Sequence, residues 1–501
     1  MAEDLAEFAW RPVAAIAAAL AAVLIGFSGR YGYDRDELYF IECGKHLAWG
    51  YPDQPPLVPL IARIMTAISP TSLVVLRLPS ALSAASLIVI TALLARELGA
   101  GRAAQVLAAG AMAVASITIA TGHLLSTSTF ELPFWAIVSL LIIRILRRGD
   151  QRLWVLVGLV TGIGLFDSDL IAFLLFAVVV GLCVAGPRHC FKTPWLYMGG
   201  VIAAVLWTPY LVWQARHGWP QLTVSRSIAA GGSATSTPRW LVIPEQLVLV
   251  SIYFAPVWVA GLVRLFRART IPWTGSRALA VAYGVLVVVF IATGGKAYYL
   301  GGMFPLLLGA GAQPVIDWIR SAPADQLRPR RRLVVAAFLL SLIELPVVLP
   351  IVPATALHDT PIVSLNSDAG ETVAWPTFVT EIAKVYSSVP QKVRGSTIIL
   401  TGNYGEAGAV DRFGARYGLP TAYSGHNAFW YWGPPPPSVT AAVAVGFPRS
   451  SLTSVCGSLK LATRLNNHLD ISDEEQGAPV WMCTDLLGSW KVLWPKLRDF
   501  G

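Results

Sequence analysis

Charge is what this chain has least of. Only 13% of its 501 residues are Asp, Glu, Lys or Arg, against about 25% in an average soluble domain. So few charges argue against a wholly water-soluble globule. Most of the chain is expected in lipid, in line with 55% hydrophobic residues and a mean hydropathy of +0.59. Cysteine is scarce too. There are five, with no CxxC or Cys/His spacing, which argues against a zinc-finger-type site. No repeat of fixed period stands out. No Lys/Arg cluster is interleaved with aromatics as a nucleic-acid surface requires. The net charge of +9 therefore reads as basic cytoplasmic loops between membrane spans, with no nucleic-acid partner.

What is present is a series of apolar runs. A span needs roughly 20 mostly apolar residues. About eleven runs qualify, near 10–28, 72–95, 103–121, 130–146, 153–168, 169–186, 196–213, 241–264, 278–293, 298–316 and 333–352. Asp167 and Asp169 divide the pair between 153 and 186. The first run is read as an uncleaved span, because a charged loop follows it immediately. With the N-terminus inside, the cytoplasmic loops hold Arg96 and Arg102, then Arg144 to Arg152, Arg188 and Lys192, Arg264 to Arg277 with Arg269 among them, and Arg320 to Arg332. The opposite loops 122–129 and 167–169 have neither Lys nor Arg, and 294–302 has Lys296 alone. This alternation puts residues 28–71 and everything beyond about 353 outside the cytoplasm.

Residues 353–501 have a different texture. Hydrophobic runs shorten to strand length at 396–402, 440–447 and 478–484, with helical stretches between them, such as 377–389 and 406–418. That alternation predicts a small extracytoplasmic α/β domain behind a membrane domain of residues 1–352. Cys456 and Cys483 both fall in it. They either pair or stay as buried thiols.

The most informative stretch is 28–60, SGRYGYDRDELYFIECGKHLAWGYPDQPPLVPL. A mere connector would not need its acids, bases, Tyr and Trp. Carboxylates beside aromatic rings suit a sugar: rings stack on its C–H face, and a carboxylate takes a hydroxyl proton. Asp36-Glu37 soon after a first span, and the wider string DELYF…HLAWGYPDQPPL, resemble the C-type glycosyltransferases that use polyprenyl-phosphate sugars. The likeness is to the bacterial branch related to protein O-mannosyltransferases and lipid A aminoarabinose transferases.

The resemblance implies a polytopic α-helical membrane protein of the bacterial cytoplasmic membrane. It implies transfer of a sugar from a polyprenyl-phosphate donor to a hydroxyl on a lipid, glycan or protein acceptor. It assigns Asp36 as the base, with Glu37 orienting the site. Asp53-Gln54 stands where such enzymes carry an acid followed by Lys or His. Gln54 donates a hydrogen bond but cannot neutralise a phosphate. Asp53 remains the candidate ligand for a divalent metal, the one cofactor the family suggests.

A departing lipid phosphate calls for positive charge. Lys45, His46, His217 in the string RHGWP, and Lys296 beside Tyr298 are the candidates. Glu131, at the start of a span, is a candidate for lining the pocket. The strings 401–408 (TGNYGEAG) and 423–432 (YSGHNAFWYW) resemble this branch as well. Glycines at a helix N-terminus suggest an anion site for the first, and the second suits carbohydrate or a membrane-facing contact. Two other classes compete: a transporter or flippase of lipid-linked sugars, and a non-catalytic envelope assembly protein. The enzyme reading requires one cavity that brings Asp36, Asp53, Glu131 and Lys296 together.

Overall fold

A computed structural model describes residues 5–233, 235–236, 238–267, 271 and 275–500. Arg269, expected in a basic loop, lies outside the described residues. Six helices are long and apolar enough to cross a membrane: Trp10–Phe27, Leu73–Glu97, Thr127–Arg148, Pro194–Arg216, Ser276–Thr293 and Ala297–Arg320. Two of the expected spans are interrupted. Arg102–Ala113 and Ser116–His123 meet at 57°, and Val242–Leu249 and Ile252–Arg267 at 96°. Counting each bent pair as one span gives eight, where the hydropathy pattern suggested about eleven. Leu153–Gly164 is apolar but has only 12 residues. At 1.5 Å per residue it is too short for a hydrocarbon core of about 30 Å.

Glu344 holds both interruptions. Its carboxylate accepts from Ser116, the first residue after one break, at 2.5 Å, and from Ser251, within the other, at 2.9 Å. Two of the expected basic loops meet at one end of the bundle. There Arg144 and Arg147 donate to Glu97 at 2.8 Å each, and Arg148 at 3.1 Å.

The C-terminal unit carries a five-stranded sheet in the order β2-β1-β3-β5-β4. Its strands are β1 (Thr397–Thr401), β2 (Ala422–Ser424), β3 (Ala441–Val445), β4 (Cys456–Arg464) and β5 (Pro479–Leu486). β1 runs parallel to β2 and β3, while β5 is antiparallel to β3 and β4. β1 and β3 are buried along their whole length. Such strands read as unbroken apolar runs. Cys456 on β4 and Cys483 on β5 form a disulfide with Cα atoms 5.5 Å apart.

One helix joins this unit to the stretch 28–60. Tyr404–Phe413 crosses from β1 to β2 and packs on Arg35–Lys45, with Ala407, Ala409 and Val410 meeting Leu38 and Tyr39 in one core. Two glycines permit the approach. A Cβ at Gly405 would stand 2.9 Å from Arg35 Cβ, and one at Gly408 2.9 Å from Leu38 Cβ. Gly405 and Gly408 of TGNYGEAG thus serve helix packing, while Gly402 lies against Gly446. The helix N-terminus is already capped: Asn403 accepts from the Glu406 amide, and Glu406 from the Gly402 and Asn403 amides.

Candidate active site

Helix Arg35–Lys45 opens on a capping box. Asp34 accepts from the Asp36 amide and Glu37 from the Asp34 amide, each at 2.9 Å, which satisfies donors a helix start leaves free. Glu37 is fully buried and points away from solvent. It takes two bonds from Arg77, Nε at 2.8 Å and Nη2 at 2.7 Å, and one from the Leu125 amide at 3.0 Å. Arg77 also donates to the carbonyls of Ser28 and Gly32. The pair ties the end of the first span, the loop and two further helices into one knot. Its neighbour Asp36 is left on the open side, facing a cavity of about 2300 Å³.

Asp36, Asp53, Glu131 and Lys296 all line that cavity, with Gln54 and Tyr298. Asp36 Oδ1 accepts from the Tyr404 hydroxyl at 2.7 Å. Asp53 Oδ1 accepts from Tyr39 at 2.8 Å and Oδ2 from Asn427 Nδ2 at 3.2 Å. Tyr39 and Tyr404 stack with centroids 4.5 Å apart, so the two carboxylates are linked through a pair of rings. Tyr404 and Asn427 were not assigned from the sequence. The strings that hold them were singled out, but nothing local says which side chain reaches the first loop.

Burial pushes the Asp53 carboxyl up to about 7, with the Asp36 charge adding to the rise. In an unfolded chain it would titrate near ~3.9. Between those values the folded state keeps a proton that the unfolded state has released. Stability therefore falls as pH rises from about 4 to about 7, and this contribution levels off above. Glu406 and Asp411, raised to about 7 mainly by burial, act in the same direction. Asp53→Asn is expected to flatten the decline of melting temperature with pH across that window. Thermal unfolding in detergent at stepped pH measures it, and an unaltered slope contradicts the assignment.

The Lys296 ammonium is buried, donates to Ser233 Oγ at 2.9 Å and to Thr235 Oγ1, and lies 5.6 Å from the Tyr298 ring centre. Burial lowers its pKa, while the charges of Asp36 and Asp368 oppose that effect. Glu131 is hydrogen-bonded by Ser168 and lies near Asp167. Asp167, which carries no role in the resemblance, also lines the cavity; neither of its oxygens has a hydrogen-bond partner among the described residues. Asp169 accepts from Trp207 at 3.3 Å and Tyr210 at 2.9 Å. The buried Gln54 Nε2 has no partner either.

Three of the expected cations do not reach the cavity. Lys45 points outward and pairs with Glu42 at 2.6 Å. His46 stacks on Trp432 with centroids 4.2 Å apart, and the exposed His217 stacks on Trp213 at 4.0 Å. Helical geometry explains Lys45, which lies in the last turn of a helix whose inner face is spent on packing. Aromatic stacking takes the two imidazoles. Glu37 likewise stays off the cavity wall, held by Arg77.

Asp53 accepts from Tyr39 through Oδ1 and from Asn427 through Oδ2, and among the described residues it belongs to no group of three His, Cys, Asp or Glu close enough to share an ion. Among the described residues, Glu371, Glu474 and Glu475 cluster closely enough to share an ion. Arg35 already pairs with Glu371 at 3.6 Å and with Glu474.

Residues 53–213 match the family described as dolichyl-phosphate-mannose-protein mannosyltransferase. Among solved structures, the chain is similar to ArnT from Cupriavidus metallidurans bound to undecaprenyl phosphate, at 14% identity and a TM-score of 0.56 over 94% of this chain and 97% of that one. The apo form of that protein gives 14% identity and a TM-score of 0.57 over the same shares. The oligosaccharyltransferase AglB from Archaeoglobus fulgidus, solved with an inhibitory peptide and a dolichol-phosphate, is 13% identical over 88% of this chain and 69% of that one, with a TM-score of 0.47. Comparison with curated proteins gives no match.

Proposed function

We propose that this chain, which belongs by fold and by its match over residues 53–213 to the C-type glycosyltransferase superfamily of the aminoarabinose and protein O-mannosyltransferase kind, moves a sugar from a polyprenyl-phosphate donor to an acceptor hydroxyl. The reaction is assigned to the outer face of a bacterial cytoplasmic membrane. The observation that carries the reading is the single cavity in which Asp36, Asp53, Glu131 and Lys296 meet. The undecaprenyl phosphate bound to the solved ArnT supports a lipid-phosphate donor.

The donor's tail lies in the bilayer, and its phosphate and sugar occupy the cavity. Asp36 takes the proton of the acceptor hydroxyl as that oxygen attacks the anomeric carbon. The bond from that carbon to the phosphate oxygen breaks on the opposite face, so the centre inverts. Lys296 stands beside the phosphate that leaves and offsets its charge. Glu131, Asp53, Gln54 and Tyr298 line the sugar's surroundings. Glu37 orients the site through Arg77. The unit beyond residue 353 sits outside the cytoplasm over the cavity.

Membranes holding the protein are incubated with a panel of radiolabelled polyprenyl-phosphate hexoses and pentoses. Label is expected to leave at least one donor for a membrane acceptor; retention by every donor defeats the reading. Lys296→Met is expected to lower kcat/KM by about 100-fold, the scale of losing one preorganised group at a developing anion. Lys296→Arg should recover part of it. Equal turnover in Lys296→Met and wild type removes Lys296 from the role.

A further inference from the structure

Asp36 sits among like charges. Asp34 and Asp368 both feel its charge, which helps raise their own pKa values. Lys296 feels the Asp36 charge as well, so the carboxylate is pulled and pushed by charges on several sides. What holds it comes from a segment 368 residues further along: the Tyr404 hydroxyl, 2.7 Å from Oδ1.

The Tyr404 ring is gripped on several sides. Tyr39 stacks on it at 4.5 Å, the Arg35 guanidinium lies 5.2 Å from its centre, and the His426 ring packs at 4.8 Å. Burial, and then the Asp36 charge, push the Tyr404 phenol well above its ordinary pKa, so it remains a donor at any working pH. With Oδ1 occupied, Oδ2 is the oxygen with no hydrogen-bond partner among the described residues. The same unit contributes a second contact of this kind, from Asn427 to Asp53. Both ends of the first loop's acidic edge are therefore fixed by the C-terminal unit.

We propose that Tyr404 is a positioning residue for sugar transfer: it locks the Asp36 carboxylate with Oδ2 toward the acceptor hydroxyl, which makes the C-terminal unit part of the catalytic centre. The inference rests on Asp36 acting as the base. In the step, the acceptor proton passes to Oδ2, the new carbon–oxygen bond forms, and the bond to the lipid phosphate breaks. The Tyr404 proton stays where it is.

Tyr404→Phe keeps the stacked ring and removes only the donor. Hydrogen bonds to charged groups contribute about 1.5–3 kcal/mol. The expected result with the panel of polyprenyl-phosphate sugars is a kcat lowered about 10- to 100-fold, with KM for the donor unchanged. A second readout needs no substrate. Labelling of Asp36 by a water-soluble carbodiimide with glycine ethyl ester, followed by peptide mass spectrometry, should speed up in Tyr404→Phe.

If Tyr404→Phe keeps its kcat while Asp36→Asn is inactive, the positioning role is wrong and the base assignment stands. If Asp36→Asn keeps full activity, the base assignment itself fails. A lowered melting temperature with unaltered kcat makes Tyr404 a docking contact only and overturns the proposal. Should no sugar of the panel be turned over, an unaltered labelling rate overturns it by itself.

Discussion

Asp36→Asn is expected to cut sugar transfer by orders of magnitude while leaving the protein folded. The substitution keeps the shape of the side chain and an oxygen to accept from Tyr404, but it removes the carboxylate proposed to receive the acceptor's proton. A positioned base contributes about 10²- to 10⁴-fold, and kcat is expected to fall by that much. Asp36 lies on the cavity wall outside the buried core, so the melting temperature should stay within error of wild type. Label transfer from a polyprenyl-phosphate sugar, measured beside thermal unfolding of the same preparation, separates the two effects. Full transfer by Asp36→Asn at normal expression would falsify the assigned base.

Arg77→Met is expected to have the largest effect on folding. Neither Arg77 nor Glu37 exposes any side-chain surface. Breaking a buried pair by removing one partner costs about 3–5 kcal/mol, because the remaining charge is left uncompensated. The buried carbonyl of Ser28 and the half-buried one of Gly32 lose a donor as well. For many buried pairs, replacing both members by apolar residues restores stability. It should not do so here. A double Arg77→Met/Glu37→Met change still strips the Asp34 and Leu125 amides of their acceptor. The expected outcome is a sharply lower melting temperature and little extractable protein for the single variant, with no recovery in the double. Melting at the wild-type temperature would show that the pair adds nothing.

The acidic edge of the cavity was legible because it is local. Asp36 and Asp53 sit in a polar stretch between apolar runs, and three of the five strands announced themselves as short apolar blocks. β2 has only three residues, and β4 is mostly exposed with polar side chains along it, so neither offered a hydrophobic block to find. The interrupted spans kept an unbroken apolar composition, and composition does not report a bend. Arg77 left a faint signal, a lone cation inside the run 72–95, of the sort that marks a buried partner. Tyr404 left none. Its partner lies in a distant part of the chain, and the pairing depends on two glycines that let two helices touch. The two imidazoles and Lys45 misled for the opposite reason: their chemistry suits a phosphate, but their neighbours turn them elsewhere.

Glu344 gives the cavity's membrane side an unusual property. Both bent helices are pinned at their elbows by the two oxygens of one side chain. A shift of that residue loosens a contact at both elbows at once, while Ser251 keeps its bond to Ser341. The two bent helices are consequently yoked, like a pair of shutters on a common rod.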